Sequence, residues 1–408
     1  MDTLSGRPLR ILAADDSAVM RSILWKLFLM HAKNRPSGLP LMELCGIARD
    51  GVECLEQVKG LAPDVLVLDL EMPRLNGLGV LDRLRVENPE LPVIMCSAHT
   101  EHGARSTLEA LARGASDYVM KPSEQRDFAA AMESLSQQLL PRIAALTKET
   151  RDEGAKPGRD AAPNDLQKTR SSEPATKDFR SIEIVVIGLS TGGPSALEQF
   201  LPKLPKDFPV PVLIVQHMPK LFTGALADRL DKCCPLRVQQ AYDNAPIRPG
   251  TVWLAPGDSH MEVAPRRAMS DETGDAERRS SRVRLHQQEP LNHCRPSVDY
   301  LFLSAARMYG AGTLALVMTG MGADGLNGAR AVHEGGGVVL AQDEATSAVW
   351  GMPGRVSEEG IANATLPLWG IATAVKQRVN AGRPARPEPG NNPVTVMVSR
   401  REAAHGLF

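Results

Sequence analysis

The sequence predicts an α/β protein of two open, mainly parallel sheets carried on one chain of 408 residues. Three observations carry this expectation. Short apolar runs alternate with helix-period segments twice along the chain, the pattern of a parallel sheet covered by helices. Polar residues able to do chemistry fall at the carboxyl ends of those runs, the edge where open α/β sheets bind ligands. Between the two series lies a charged, Pro-, Gly- and Ser-rich stretch with hardly an aliphatic residue, too poor in apolar area to offset the entropy of ordering it.

The first series predicts strands at Leu9 to Ala14, Met42 to Ala48, Val65 to Leu70, Pro92 to Ser97 and Asp117 to Met120. A helical pattern follows each, with Ser17 and Ser123 as N-caps. His31 to Pro40 reads as a surface loop away from the functional edge. At that edge Asp15 and Asp16 close the first strand, Asp69 ends the third, Ser97 ends the fourth and Lys121 follows the fifth. Taken singly, an Asp at a strand end is usually a helix cap, and Lys121 before Pro122 is an ordinary turn lysine. Five such residues on one edge are better explained together. Three carboxylates suit a hard cation such as Mg²⁺, and that cation with the lysine could hold a phosphoryl group accepted by Asp69.

The stretches ILAADDSAVMR, VLVLDLEMPRLNG, CSA and DYVMKP resemble the receiver domain of two-component response regulators. The resemblance implies a flavodoxin-like (βα)5 fold over residues 1–147. It also implies that a histidine kinase phosphorylates Asp69, that Asp15, Asp16 and Asp69 bind Mg²⁺, that Ser97 and Lys121 contact the phosphoryl oxygens, and that Tyr118 reports the change.

Residues 148–180 form the tether, expected to be flexible, which either lets the first domain dock and leave or merely spaces it. A second domain is expected over 181–380, followed by a poorly ordered tail at 381–408 that is Pro-rich and then briefly apolar.

In the second domain, strand-like runs at Ile182 to Leu189, Val212 to Gln216 and Leu314 to Met318 predict another doubly wound parallel sheet. Thr251 to Leu254, Met261 to Val263 and Arg282 to Leu285 are short and separated by turn residues, which predicts an antiparallel excursion. The charged stretch from Pro265 to Ser281 reads as a mobile loop. The first strand ends in Gly-x-Ser-x-Gly followed by Pro194, which presents Ser190 on a tight strand-to-helix turn beside helix N-terminal N–H groups. His217 and Asp324 follow the other two strands. A serine, an imidazole and a carboxylate on matching strand ends suit nucleophilic attack on a carbonyl. The bland readings are an N-cap serine, a core-edge histidine and a turn aspartate. His333 is a rival base but lies inside a helical pattern, and His293 falls in a loop read as a pocket wall. A phosphate cradle at GLSTGGP is disfavoured, because no Lys follows the glycines and the G-x-G-x-x-G spacing is missing.

GLSTGGPSAL, VQHMP, LAPGDSHM, RPSVDYLF, MTGMGADG and AQDEATSAVWGMP resemble the catalytic domain of chemotaxis protein-glutamate methylesterases, the CheB family. The resemblance implies that Ser190 is the nucleophile, His217 the base and Asp324 its partner, with Thr191 and Met321 at the oxyanion site and no cofactor for the hydrolysis. It implies demethylation of glutamate methyl esters on chemoreceptor helices, with deamidation of particular glutamines as a second reaction of many members. The expected partners are a chemotaxis histidine kinase and methyl-accepting receptors, the expected state a monomer, and the expected control a receiver that covers the cleft until phosphorylated. The different-class alternative is a response regulator whose second domain only binds.

Composition agrees with this picture. Lys+Arg 47 against Asp+Glu 48 leaves a formal net charge of -1, without the basic excess that nucleic-acid binding needs. Six cysteines without CxxC spacing read as reduced, buried, structural thiols of a cytoplasmic protein. No signal peptide and no membrane-spanning run is expected.

Overall fold

A computed structural model describes residues 7–122, 127–152, 181–265, 281–381 and 383, and every statement of absence below concerns these residues. The first domain runs β1 (Leu9–Ala14), α1 (Ala18–Lys33), β2 (Met42–Ala48), α2 (Gly51–Leu61), β3 (Val65–Asp69), α3 (Gly77–Glu87), β4 (Val93–Ser97), α4 (Glu101–Ala112), β5 (Asp117–Met120) and α5 (Phe128–Asp152). The strands are all parallel in the order β2-β1-β3-β4-β5. Every residue of β3 and β4 is buried, as strands covered on both faces require. The helix starts are side-chain capped: Ser17 accepts from Met20, Asp50 from Val52 and Glu53, Asn76 from Gly79 and Thr100 from Gly103. Each cap satisfies an orphan N–H and contributes about 1 kcal/mol. The expected loop starts later than His31, which is buried in the last turn of α1, and it is clipped back, with His31 Nε2 2.9 Å from the Pro40 carbonyl. Ser123, the second expected cap, lies outside the described residues.

The second domain runs β6 (Ile184–Leu189), α6 (Gly193–Phe200), β7 (Val212–Gln216), α7 (Lys220–Cys233), β8 (Arg237–Gln240), β9 (Thr251–Leu254), β10 (His260–Ala264), β11 (Arg282–His286), α8 (Val298–Tyr309), β12 (Thr313–Val317), α9 (Leu326–Glu334), β13 (Val338–Gln342), α10 (Met352–Glu358), β14 (Ala364–Leu366) and α11 (Leu368–Asn380). Seven strands form one parallel sheet in the order β14-β13-β12-β6-β7-β9-β8. Only β10 and β11 make the short antiparallel sheet. Thr251 to Leu254 therefore does not belong to the excursion. As β9 it lies between β7 and β8 with Val252, Trp253 and Leu254 buried, and the turn residues around it close crossovers rather than hairpins. Strands β8, β13 and β14 were not expected. β8 carries a single aliphatic side chain, and β14 is a three-residue edge.

Helix α5 continues to Asp152, into the stretch whose composition predicted a tether from residue 148. The rest of that tether, the loop from 266 to 280 and most of the tail fall outside the described residues.

The two domains are packed together. Helix α4 lies on α6 and α7, and a single apolar cluster runs from the α2–α3–α4 side of the first domain into α6 and α7. On the other side, Met321 and Val349 pack with the α1–α5 core.

Candidate active site

In the second sheet β6 has β12 on one side and β7 on the other, so the chain order reverses there and leaves a crevice beyond its carboxyl end. Ser190 follows β6, His217 follows β7 and Asp324 lies in the loop after β12. The turn at Ser190 is held by backbone and side chain together. Ser190 N–H donates to the Thr319 carbonyl at 3.0 Å, while its carbonyl accepts from Gly193 N–H at 2.9 Å and Gln216 Nε2 at 2.8 Å. Gly192, at φ 78°, starts α6 without a side-chain cap, a conformation an L side chain rarely adopts. A Cβ on Gly193 would come within 1.9 Å of Gln216 Oε1.

His217 Nε2 lies 2.8 Å from Asp324 Oδ2, and both side chains are largely buried. Burial pulls the imidazole down, but the hydrogen bond to Asp324, then the Cys294 contact and the Asp324 charge, outweigh it and hold His217 above its ordinary range. Asp324 is held low: burial opposes the charge, and hydrogen bonds from His217, Ser297 and Asn292 outweigh it. The other ring nitrogen, Nδ1, faces Cys294 Sγ at 3.6 Å.

The structure thus unites His217 and Asp324 and seats Ser190 on the neighbouring strand end, with His217 N–H on the Leu189 carbonyl at 3.1 Å. Among the described residues the Ser190 hydroxyl has no hydrogen-bond partner, so the serine and imidazole are adjacent without being joined. The rivals are elsewhere, since His333 is exposed on α9 and His293 is exposed in the loop before α8. The cysteines do not form a uniform buried set. Cys54 and Cys96 are buried, Cys233 is exposed, and Cys294 is half-buried against the candidate base.

Sequence reasoning missed several residues. Gln216 and Thr319 clamp the Ser190 turn, with Thr319 Oγ1 donating to the Thr191 carbonyl at 2.9 Å. Asn292 and Ser297 hold Asp324. Gln216 was adjacent to His217 in VQHMP, Ser297 lay inside RPSVDYLF and Asn292 just before it, but an amide or hydroxyl in or beside a motif has no signature of its own.

Thr191 directly follows Ser190, and Met321 lies in the loop after β12. Thr191 Oγ1 donates to Asp117 Oδ2 of the first domain at 2.7 Å, a carboxylate also paired with Arg142 Nε at 3.1 Å. Ser195 Oγ donates to the Leu111 carbonyl at 3.0 Å. Tyr118 stacks on Phe222 of α7, centroids 4.7 Å apart and planes at 13°.

In the first domain, carboxylate oxygens of Asp15, Asp16 and Asp69 lie within 4.8 Å of one another. Lys121 Nζ is 2.7 Å from Asp69 and 2.9 Å from Asp15. Burial, then the neighbouring Asp15 charge, pushes Asp69 up to about 6 despite Lys121. Ser97 Oγ is buried and accepts from Thr107 Oγ1 at 2.7 Å. A cluster of hard oxygen donors with excess negative charge fits a divalent cation such as Mg²⁺.

A family model described as CheB methylesterase matches residues 185–375, and one described as response regulator receiver domain matches 11–133. A Nocardioides sp. protein named protein-glutamate methylesterase/protein-glutamine glutaminase is 42% identical, over 92% of this chain and 97% of its own. The chain belongs to the CheB methylesterase family. A CheB-family relative of the same name from Thermotoga maritima is 38% identical, over 90% of this chain and 98% of its own. The crystal structure of the Thermotoga maritima CheB methylesterase catalytic domain is similar at 41% identity and a TM-score of 0.45, over 48% of this chain and 99% of that one. This CheB-family chain accordingly has a receiver domain followed by a methylesterase domain. Among its described residues, no helix is long and apolar enough to cross a membrane.

Proposed function

We propose that the chain is a phosphorylation-gated serine hydrolase that demethylates glutamate methyl esters on chemoreceptor helices, and deamidates glutamines there, as part of chemotaxis adaptation. The observation that carries the reading is the 2.8 Å pair of His217 and Asp324 on strand ends flanking the turn of Ser190. Ser190 Oγ attacks the ester carbonyl as His217 accepts its proton, and methanol leaves with that proton. Water then releases the glutamate by the same route. Because Nε2 is committed to Asp324, Nδ1 is the nitrogen that takes the proton. General-base help of this kind contributes about 10²- to 10⁴-fold. The Thr191 and Met321 N–H groups, which bond to no described residue, are our candidates for the oxyanion donors.

Asp69 is the phosphoacceptor on this reading, with Asp15, Asp16 and Asp69 holding Mg²⁺, which would neutralise phosphoryl oxygens. Lys121 and Ser97 meet those oxygens, and Tyr118 carries the change to Phe222. The phosphodonor is a chemotaxis histidine kinase, and the setting is the cytoplasm, in keeping with free cysteines. Receiver contacts through Asp117, Tyr118 and Leu111 support a covered resting state.

Methanol release from methylated receptor by a Ser190→Ala variant tests the hydrolase. Release at the wild-type rate would leave the noncatalytic binding module as the better reading.

A further inference from the structure

Asp324 is held by far more than its histidine. Its Oδ1 accepts from Ser297 Oγ at 2.7 Å, from Asn292 Nδ2 at 2.8 Å and from Asp299 N–H at 3.4 Å, while Oδ2 accepts from Val298 N–H at 2.6 Å as well as from His217. Val298 and Asp299 are the first two residues of α8, and Ser297 is its N-cap. An N-cap serine ordinarily accepts from its own helix. Here Ser297 makes no such bond and turns its hydroxyl outward as a donor. The carboxylate of a distant loop therefore takes the place of a cap, inside the positive end of the helix dipole.

The close fit depends on two glycines. A Cβ on Gly188 or Gly325 would come within 2.4 or 2.7 Å of Val298 Cγ1, so α8 reaches both the β6 strand and the Asp324 loop only because those positions lack one. Asn292 reaches in from the loop before α8, and its amide nitrogen also lies 3.0 Å from Asp299 Oδ2, so one donor spans two buried carboxylates. A carboxylate with its lone pairs occupied this way has one orientation, and that orientation fixes the ring of His217.

We propose that Ser297 and Asn292 are positioning residues of the hydrolysis, which lock Asp324 at the N-terminus of α8 so that Nε2 of His217 stays committed to it and Nδ1 is left to take the Ser190 proton. The inference rests on the proposed roles of Ser190, His217 and Asp324. It assigns the segment from Asn292 to Val298 a part in catalysis beyond walling the pocket, acting through Asp324 without touching substrate.

The test is steady-state methyl-ester hydrolysis by the full chain, with Ser297→Ala, Ser297→Thr and Asn292→Gly beside Asp324→Asn. Glycine suits Asn292 because its φ is 53°, in the left-handed region, and the residue is exposed, so folding is little disturbed. The expected result is a loss of kcat of about 10- to 100-fold for Ser297→Ala and a smaller loss for Asn292→Gly, with KM unchanged and partial recovery in Ser297→Thr. The downfield imidazole N–H proton resonance of His217, assigned by its loss in His217→Gln, should move in the same variants. If Asp324→Asn abolishes turnover while Ser297→Ala and Asn292→Gly leave kcat intact, or lower it without moving that resonance, this inference is wrong and the triad stands. If Asp324→Asn itself turns over normally, the underlying reading falls with it.

Discussion

The Thr191 hydroxyl donates to the Asp117 carboxylate across the domain interface at 2.7 Å, tying the residue after the candidate nucleophile to the last strand of the receiver. Asp117 directly precedes Tyr118, whose ring lies on Phe222 at the mouth of the same domain contact. One dipeptide of the receiver thus makes two of its contacts with the second domain, which gives phosphorylation a short route to Ser190.

Removing that tie should loosen the resting state. Asp117→Ala deletes the acceptor for both Thr191 and Arg142, and Tyr118→Ala deletes the stacked ring. Basal methanol release is expected to rise several-fold in each without phosphodonor, and stimulation by phosphodonor to shrink in proportion. A basal rate equal to wild type in both would mean that these contacts do not restrain the enzyme.

The pH dependence follows from His217. Asp324 raises its pKa, so the protonated ring, which cannot accept the Ser190 proton, persists above the ordinary imidazole value of about 6.5. Activity should therefore increase with pH through a midpoint higher than that value. Asp324→Asn removes the largest raising partner and leaves only the Cys294 contact against burial, so the residual activity should show its midpoint at lower pH. A midpoint unmoved by the substitution would show that another group sets the limb.

Cys294 gives a chemical probe of the same ring. Its half-buried thiol lies 3.6 Å from Nδ1, the nitrogen proposed to serve Ser190. Alkylation by iodoacetamide should lower turnover at least tenfold, and Cys294→Ala should be active and resistant. Equal sensitivity in Cys294→Ala would place the inhibition at another cysteine.

Asp69 ionises reluctantly, with its pKa near 6 through burial and the Asp15 charge. A raised folded pKa means that the ionised form costs stability, on the order of 2 to 3 kcal/mol at neutral pH, and that the cost fades as pH falls through about 6 toward 4. Mg²⁺ should offset that cost, raising the Tm of the receiver at pH 7.5 by several degrees and less at pH 5. Asp69→Asn should raise Tm without Mg²⁺ and weaken the response to it. A Mg²⁺ response unchanged in Asp69→Asn would separate the cation from this pocket.

Both parallel sheets were legible in the sequence because their central strands are mainly apolar runs with functional side chains at or just beyond their ends. Leu9 to Ala14 and Val212 to Gln216 are examples, with bounds unchanged in the structure. β9 was misplaced because four residues between turns carry no mark of whether the chain crosses over or doubles back. Asp15, Asp69 and Lys121 could be grouped because each closes a strand, whereas Asp117 opens one and nothing in its position announced a contact with Thr191. Cys294 looked like any thiol beside an apolar run. Its meeting with His217 depends on how the loop before α8 returns over the sheet edge, which local pattern does not encode.

The central claim is that one phosphoryl group on Asp69 uncovers one serine at Ser190. The direct measurement is the initial rate of methanol release from methylated receptor by the full chain, with and without a small phosphodonor, for wild type and Asp69→Ala. Phosphodonor should accelerate wild type and leave Asp69→Ala at its basal rate. Equal acceleration of both would contradict it.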